Sequence, residues 1–144
     1  MSKKIAAIFV FVLMGLGIGL QSVQSRGGQE SAPVAVIYYW KAKPGKLEEY
    51  NRYIKNVAEP VDEDARRHGA FLSVTTYVSR KTDGSWTHMR IFLLKDRAQE
   101  ATLAKALDDA DVRMEPNGAK RKEKEDLASS LRDFAGEEEV NILN

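Results

Sequence analysis

Two extended runs, Ala70 to Ser79 and Ser85 to Lys95, flank a polar segment with Thr82-Asp83-Gly84 at its tip. No other feature of the chain limits its fold as much. Side chains in both runs alternate in character at every second residue, the period of a strand, and Asp-Gly supplies the turn chemistry of a hairpin. An antiparallel pair therefore sits mid-chain, and the segments on either side must extend it and cover it. Upstream, Val34 to Ala42 (VAVIYYWKA) is β-branched and aromatic, is closed by Pro44-Gly45, and reads as a largely buried strand. Leu47, Tyr50, Ile54, Val57 and Val61 then recur at steps of three and four, the stripe of a helix. Pro60 predicts a kink or a fresh start with the proline in a first turn. Arg66, Arg67 and His68 before Gly69 predict its end, where cations and then a left-handed glycine suit the carbonyl terminus.

Downstream of the hairpin, Asp96 caps a helix in which Ala98, Thr102, Leu103, Ala106, Leu107 and Ala110 share a face to about Asp111. Pro116-Asn117-Gly118 breaks the chain. A further helix is expected from about Ala119 to Phe134, with Leu127, Leu131 and Phe134 on one side and Lys120 to Asp126 (KRKEKED) as a solvated face. Gly136 should stop it, leaving Glu139 to Leu143 as a short last strand. The order is β, α, β, β, α, an added helix, then β, which makes the class α+β. No internal repeat or low-complexity tract is present.

Ahead of this domain, Lys3 and Lys4 form a positive start and Ile5 to Leu20 an uncharged apolar run of 16 residues that includes Gly15, Gly17 and Gly19. A membrane span takes about 20 residues. Val23 and Ser25 are the short side chains that a signal peptidase accepts before a cut at Ser25/Arg26. Residues 1–25 are therefore expected to be a signal peptide, 26–33 a flexible leader and 34–144 the domain. This places the protein outside the cytoplasm, periplasmic or secreted in a bacterium, with no stable membrane insertion after cleavage.

Composition removes several function classes. With no cysteine, there is no disulfide scaffold, thiol nucleophile, thiolate metal site or lipidated cysteine. With 22 Lys and Arg against 21 Asp and Glu, nothing favours nucleic acid as a partner. No metal site is expected: His68 is assigned to helix capping, and Asp108, Asp109 and Asp111 lack the glycine and glutamate of a calcium loop. There is no G-x-S-x-G elbow, phosphate-cradling glycine loop or H-E-x-x-H pair.

The element order is the split βαβ arrangement of a ferredoxin-like domain, a four-stranded antiparallel sheet with helices on one face. Within it, Val36-Ile37-Tyr38-Tyr39-Trp40-Lys41-Ala42-Lys43-Pro44-Gly45-Lys46-Leu47-Glu48-Glu49-Tyr50 resembles the opening of the dimeric α+β barrel superfamily. There a strand ends in Pro-Gly-Lys and enters a helix with an acidic, aromatic first turn. That superfamily includes cofactor-independent monooxygenases of the antibiotic-biosynthesis type and haem-degrading enzymes. The resemblance implies a homodimer closed through the sheet.

Strand alternation sorts the candidate site residues. Thr87, Met89, Ile91 and Leu93 share one face of the third strand, and Trp86, His88, Arg90 and Phe92 the other. The second strand divides into Ala70, Leu72, Val74, Thr76 and Val78 against Phe71, Ser73, Thr75 and Tyr77. The aliphatic sets are expected to face the helices. The mixed set would then line the opposite face, with His88, Arg90 and Tyr77 as catalytic groups and Phe71, Ser73, Thr75, Trp86 and Phe92 as ligand-binding walls. A solidly packed dimer interface is the competing reading of that face. His88 is open to use as a general base, a haem ligand or a structural residue, and Arg90 needs either a carboxylate of the fold or a polar ligand. Two functional classes follow. One is an exported, dimeric small-ligand-binding protein, monooxygenase-like on a small hydrophobic or aromatic substrate and needing no cofactor, or else haem-binding. The other is a non-catalytic assembly or interaction module of the cell envelope.

The tripartite pattern of charge, apolar run and small residues makes one direct prediction: the exported protein begins near Arg26. Intact-mass spectrometry of exported material checks it, and retention of Met1 to Ser25 would show an anchor instead.

Overall fold

The computed structural model describes residues 32–143; the expected signal peptide lies outside them. The first strand, β1, covers Val34–Ala42 as its composition predicts. The helical stripe that follows is continuous but not uniform: α1 (Leu47–Tyr53) passes through a π-helical turn at Ile54–Ala58 into α2 (Glu59–Arg67). Pro60 explains the change of pitch. It has no N–H to donate and its ring crowds the preceding turn, so the chain widens just before it, with the Glu59 N–H bonded to the Ile54 carbonyl five residues back. The end of α2 is as expected, with His68 at the cap and Gly69 at φ +80°.

The hairpin is made by β2 (Ser73–Val78) and β3 (His88–Leu94). Its turn is looser than Asp-Gly suggests. The Ser79 N–H meets the Thr87 carbonyl at 2.7 Å, which leaves residues 80–86 as a loop, and neither Asp83 nor Gly84 is left-handed. Lys41 holds this loop instead, donating from Nζ to the carbonyls of Thr82 (2.6 Å) and Gly84.

Asp96 caps α3 (Arg97–Met114) by accepting from the Gln99 N–H, and Asn117 caps α4 (Gly118–Leu131). The last two elements differ from expectation. The helix stops at Leu131 and the chain passes without a loop into β4, Arg132–Asn141. Phe134 is thus a strand residue, 56% exposed, and its helical spacing from Leu127 and Leu131 is coincidental. Tertiary pairing decides this: the Lys43 N–H takes the Leu131 carbonyl at 2.9 Å, and Arg132 pairs with Ala42. Gly136 does not end a helix. It sits at φ +152° where the β1–β4 register shifts between Tyr39 and Trp40, a bulge that leaves Ala135 unpaired and that a side chain would strain.

The four strands form one antiparallel sheet in the order β2-β3-β1-β4, the ferredoxin-like topology. The helices cover one face of it with two separate apolar cores. In the first, Ala65 of α2 and Leu103 and Ala110 of α3 pack on Val34, Val36, Phe92 and Leu94. In the second, Tyr50, Ile54 and Leu131 pack around Ala42 at the end of β1, with Trp40 and Tyr53 against them. Each fully buried Leu or Phe contributes about 1.5–3 kcal/mol relative to exposure, so both cores are substantial. They do not merge, and the space between them is a cleft.

Candidate functional site

Alternation within each strand is as read from the sequence, but its assignment to layers is reversed on β3. His88, Arg90, Phe92 and Leu94 face the helices and are buried, at 0%, 7%, 2% and 0% exposure, while Met89, Ile91 and Leu93 lie half-buried on the open face. On β2 the expectation holds for Val74 and Thr76, which pair with Phe92 and Arg90 on the helix side. The expected site is therefore split between layers. Ser73, Thr75 and Tyr77 are exposed, Tyr77 at 48%. Trp86 rests against Tyr39 with ring centroids 5.8 Å apart, on the open side. Phe71, ahead of β2, turns inward and meets Phe92 edge-on at 5.0 Å. The cause is that both faces of β3 are apolar enough to be buried, and the polar pair His88 and Arg90 finds its partners on the helices.

His88 is fully enclosed by such partners. Its Nε2 donates to Asn51 Oδ1 at 2.8 Å, which fixes the tautomer, so Nδ1 accepts from the Thr87 hydroxyl at 2.9 Å. The ring also stands edge-on to Tyr50, 4.4 Å between centroids. Burial, followed by the positive fields of Arg132 and Arg90, lowers its pKa from 6.5 to about 4. With both nitrogens engaged, His88 offers no free lone pair to a proton or an iron atom unless a buried hydrogen bond breaks. Of its three expected uses, this geometry is that of the structural residue.

Of the two partners open to Arg90, a carboxylate of the fold is present. Its Nη2 pairs with Asp62 Oδ2 of α2, its Nε donates to Thr76 Oγ1 at 3.2 Å, and its guanidinium lies 5.4 Å from the centre of the Phe92 ring. Burial raises the Asp62 carboxyl above its usual range, although Arg90 pulls the other way. The pair stands between two depressions. A smaller one of about 440 Å³ opens towards Phe71, Val74 and Thr75; the larger, about 690 Å³, is the cleft between the two cores.

Aromatic and aliphatic side chains make up the inner wall of that cleft: Tyr38, Trp40, Tyr53, Val57, Phe92 and Leu107. Val57 and Ala58 reach it because the π-helical turn carries them there. Arg121, Lys122, Lys124, Asp108, Asp111 and Glu125 form its polar mouth. Tyr38 is pushed up to about 12 by burial and by Glu137 and Glu139, so its hydroxyl stays protonated. The residue that sequence reading missed is Arg132. It stacks on Trp40 with Cζ 3.6 Å from the ring centroid, and its Nη1 donates to the Tyr50 hydroxyl at 2.6 Å. Placing residues 132–134 in a helix concealed it. Asp62 was concealed among the many acids of its helix; its signal was its place beside Val61 and Ala65 on the buried stripe. Among the described residues no cluster of His, Asp and Glu could hold a metal, and no helix is long and apolar enough to cross a membrane.

The fold is that of known solved structures. One is HapK from Hahella chejuensis, at 9% identity over 76% of this chain and 92% of that one, TM-score 0.54. Another is PA3566 from Pseudomonas aeruginosa, at 18% identity over 81% of this chain and all 100% of that one, TM-score 0.53. A less similar structure, from Shewanella loihica PV-4, has a name that proposes a monooxygenase; it shares 16% identity over 79% of this chain and 97% of that one, TM-score 0.48. No family model and no curated protein matches the chain. The resemblance at the opening strand and turn thus agrees with the three-dimensional architecture, a ferredoxin-like α+β domain.

The buried imidazole predicts a pH dependence. The unfolded chain takes up a proton near pH 6.5 and folded His88 only near 4, so protonation favours the unfolded chain between these values and stability falls as pH falls. Urea denaturation at pH 7 and pH 4.5 should show a loss of about 2–3 kcal/mol attributable to this residue, and His88→Gln should flatten that slope. Equal slopes in both proteins would contradict it.

Proposed function

We propose that this is an exported protein that holds a small hydrophobic or aromatic ligand in the cleft between its two cores and acts on it in a monooxygenase-like way. The observation that carries the reading is the cleft itself, about 690 Å³ in volume and walled by Tyr38, Trp40, Tyr53 and Phe92, with guanidinium groups at its polar end. That size and that lining suit a ligand of one to three rings. The chemistry comes from the resemblance of the opening segment. In such a reaction the substrate is its own reductant: a ring methylene is oxidised by four electrons to a carbonyl, one oxygen atom of O2 becoming the carbonyl oxygen and the other leaving as water with the two methylene hydrogens. Arg132 suits stabilisation of negative charge on the substrate as it loses its first proton. His88 holds Asn51 and Thr87 in place and takes no proton.

We also propose a homodimer closed through the open face of the sheet. Ile37, Tyr39, Met89, Ile91 and Leu93 form an apolar surface there that no element of the described residues covers, and such surfaces are seldom left to water. The same surface favours the second reading, an assembly module with no reaction of its own.

Calorimetric titration with 2-naphthol tests the cleft. Val57→Trp fills it from the π-helical turn and should weaken binding at least about tenfold at an unchanged melting temperature. Unaltered affinity, or no binding to the unsubstituted protein, would overturn the reading. For the dimer, light scattering at micromolar concentration should give twice the chain mass, and Ile91→Arg should halve it. A monomeric unsubstituted protein would refute it.

A further inference from the structure

We infer that the ligand of this cleft is an amphipathic anion, an aromatic carboxylate, and that Arg132 is the group that receives its charge. The inference rests on the ligand-binding reading above and narrows the substrate class. Eleven ion pairs join the described side chains, and Arg132 takes part in none of them. It is nonetheless half-buried and held in one orientation, with its face on Trp40 and Nη1 on the Tyr50 hydroxyl. Those contacts leave Nε and Nη2, two donors on one edge of the guanidinium, without a protein partner. Among the described residues no buried side-chain nitrogen or oxygen lacks a hydrogen bond, so this free edge is accessible to solvent, and Arg132 is one of the residues that line the cleft.

A guanidinium edge is the complement of a carboxylate, which it binds through two parallel N–H···O bonds. Stacking on Trp40 settles its orientation before a ligand arrives, so little rotamer freedom is left to lose. Arg90 is not an equal candidate, because Asp62 already neutralises it. The other cations at the mouth are less suited. Lys122 is paired with Asp126 at 2.8 Å, Lys124 lies 4.0 Å from Asp111, and Arg121 donates to the Glu115 carbonyl at 2.8 Å. Beyond Arg132 the walls turn apolar at Tyr53, Val57, Phe92 and Leu107, so an anion with a flat hydrocarbon body satisfies both parts of the site, whereas inorganic phosphate or a sugar acid satisfies only the first.

Calorimetry with 2-naphthoate and its neutral isostere 2-naphthamide tests this on the whole mature protein. The unsubstituted protein should bind naphthoate roughly tenfold or more tightly than naphthamide, the yield of a charge-assisted bond pair. Arg132→Met should abolish that preference while naphthamide binding persists. Arg132→Lys keeps the charge without the fork and should lose most of the preference, which provides the result if Arg132→Met proves too unstable to titrate. Equal affinity for the two compounds, or a preference that survives both substitutions, overturns the anion assignment and leaves the cleft reading standing. Binding of neither compound overturns both.

Discussion

A guanidinium on the helix-facing side of a central strand cannot be buried without an anion, and Asp62 supplies it to Arg90. Much of the architecture follows from that pair. Asp62 lies on α2 one turn before Ala65, so pairing it with Arg90 brings Val61 and Ala65 down onto the first core and sets how the helix crosses the sheet. The row Thr76, Arg90, Tyr38 and Glu137 runs across all four strands in register, and each of these polar groups leans on the next or on Asp62. Polar side chains in this layer are therefore part of the packing. Removing one partner of such a pair leaves the other uncompensated, which costs about 3–5 kcal/mol in comparable buried pairs.

The cleft exists because two cores form where one would be simpler. Pro60 forbids an uninterrupted α-helix, and the π-helical turn before it rotates the helix between Ile54, which belongs to the second core, and Val61, which packs against the first. On the other side, α4 contributes Leu131 to the second core and then passes directly into β4. The gap is closed at its base by Tyr38, Trp40 and Phe92, and its mouth lies among charges of both signs. Arg132, the first residue of β4, occupies the junction of helix, strand and cleft. A residue at such a junction can be ordered by Trp40 and Tyr50 and still present a free edge.

Local signals were legible where a residue's own chemistry enforces them. β1 was read to its ends because Pro44-Gly45 closes a β-branched run. Asp96 marks the start of α3, and Gly69 the end of α2. The α4–β4 boundary was not legible, since Leu127, Leu131 and Phe134 match a helical period and only pairing of Arg132 with Ala42 overrides it. The candidate site was legible in part. Arg90 and Phe92 belong to the expected set and line the cleft, and the charge of Arg90 calls for a carboxylate of the fold or a polar ligand, of which the fold supplies the first. Tyr77, Ser73 and Thr75 were grouped with them on a parity argument that the layers do not obey.

Sequence by itself determined the periods, the caps and the order of elements, and through them the ferredoxin-like topology, because these depend on contacts within a few residues along the chain. It also determined that His88, Arg90 and Phe92 share a face, since alternation is a property of one strand. Which face that was could be decided only in three dimensions. Met89, Ile91 and Leu93 are as suited to burial as Phe92 and Leu94, so the apolar content of β3 is indifferent between layers. The balance is set by polar partners remote in sequence, with Asn51 for His88 and Asp62 for Arg90, and a buried polar group goes where its partner is.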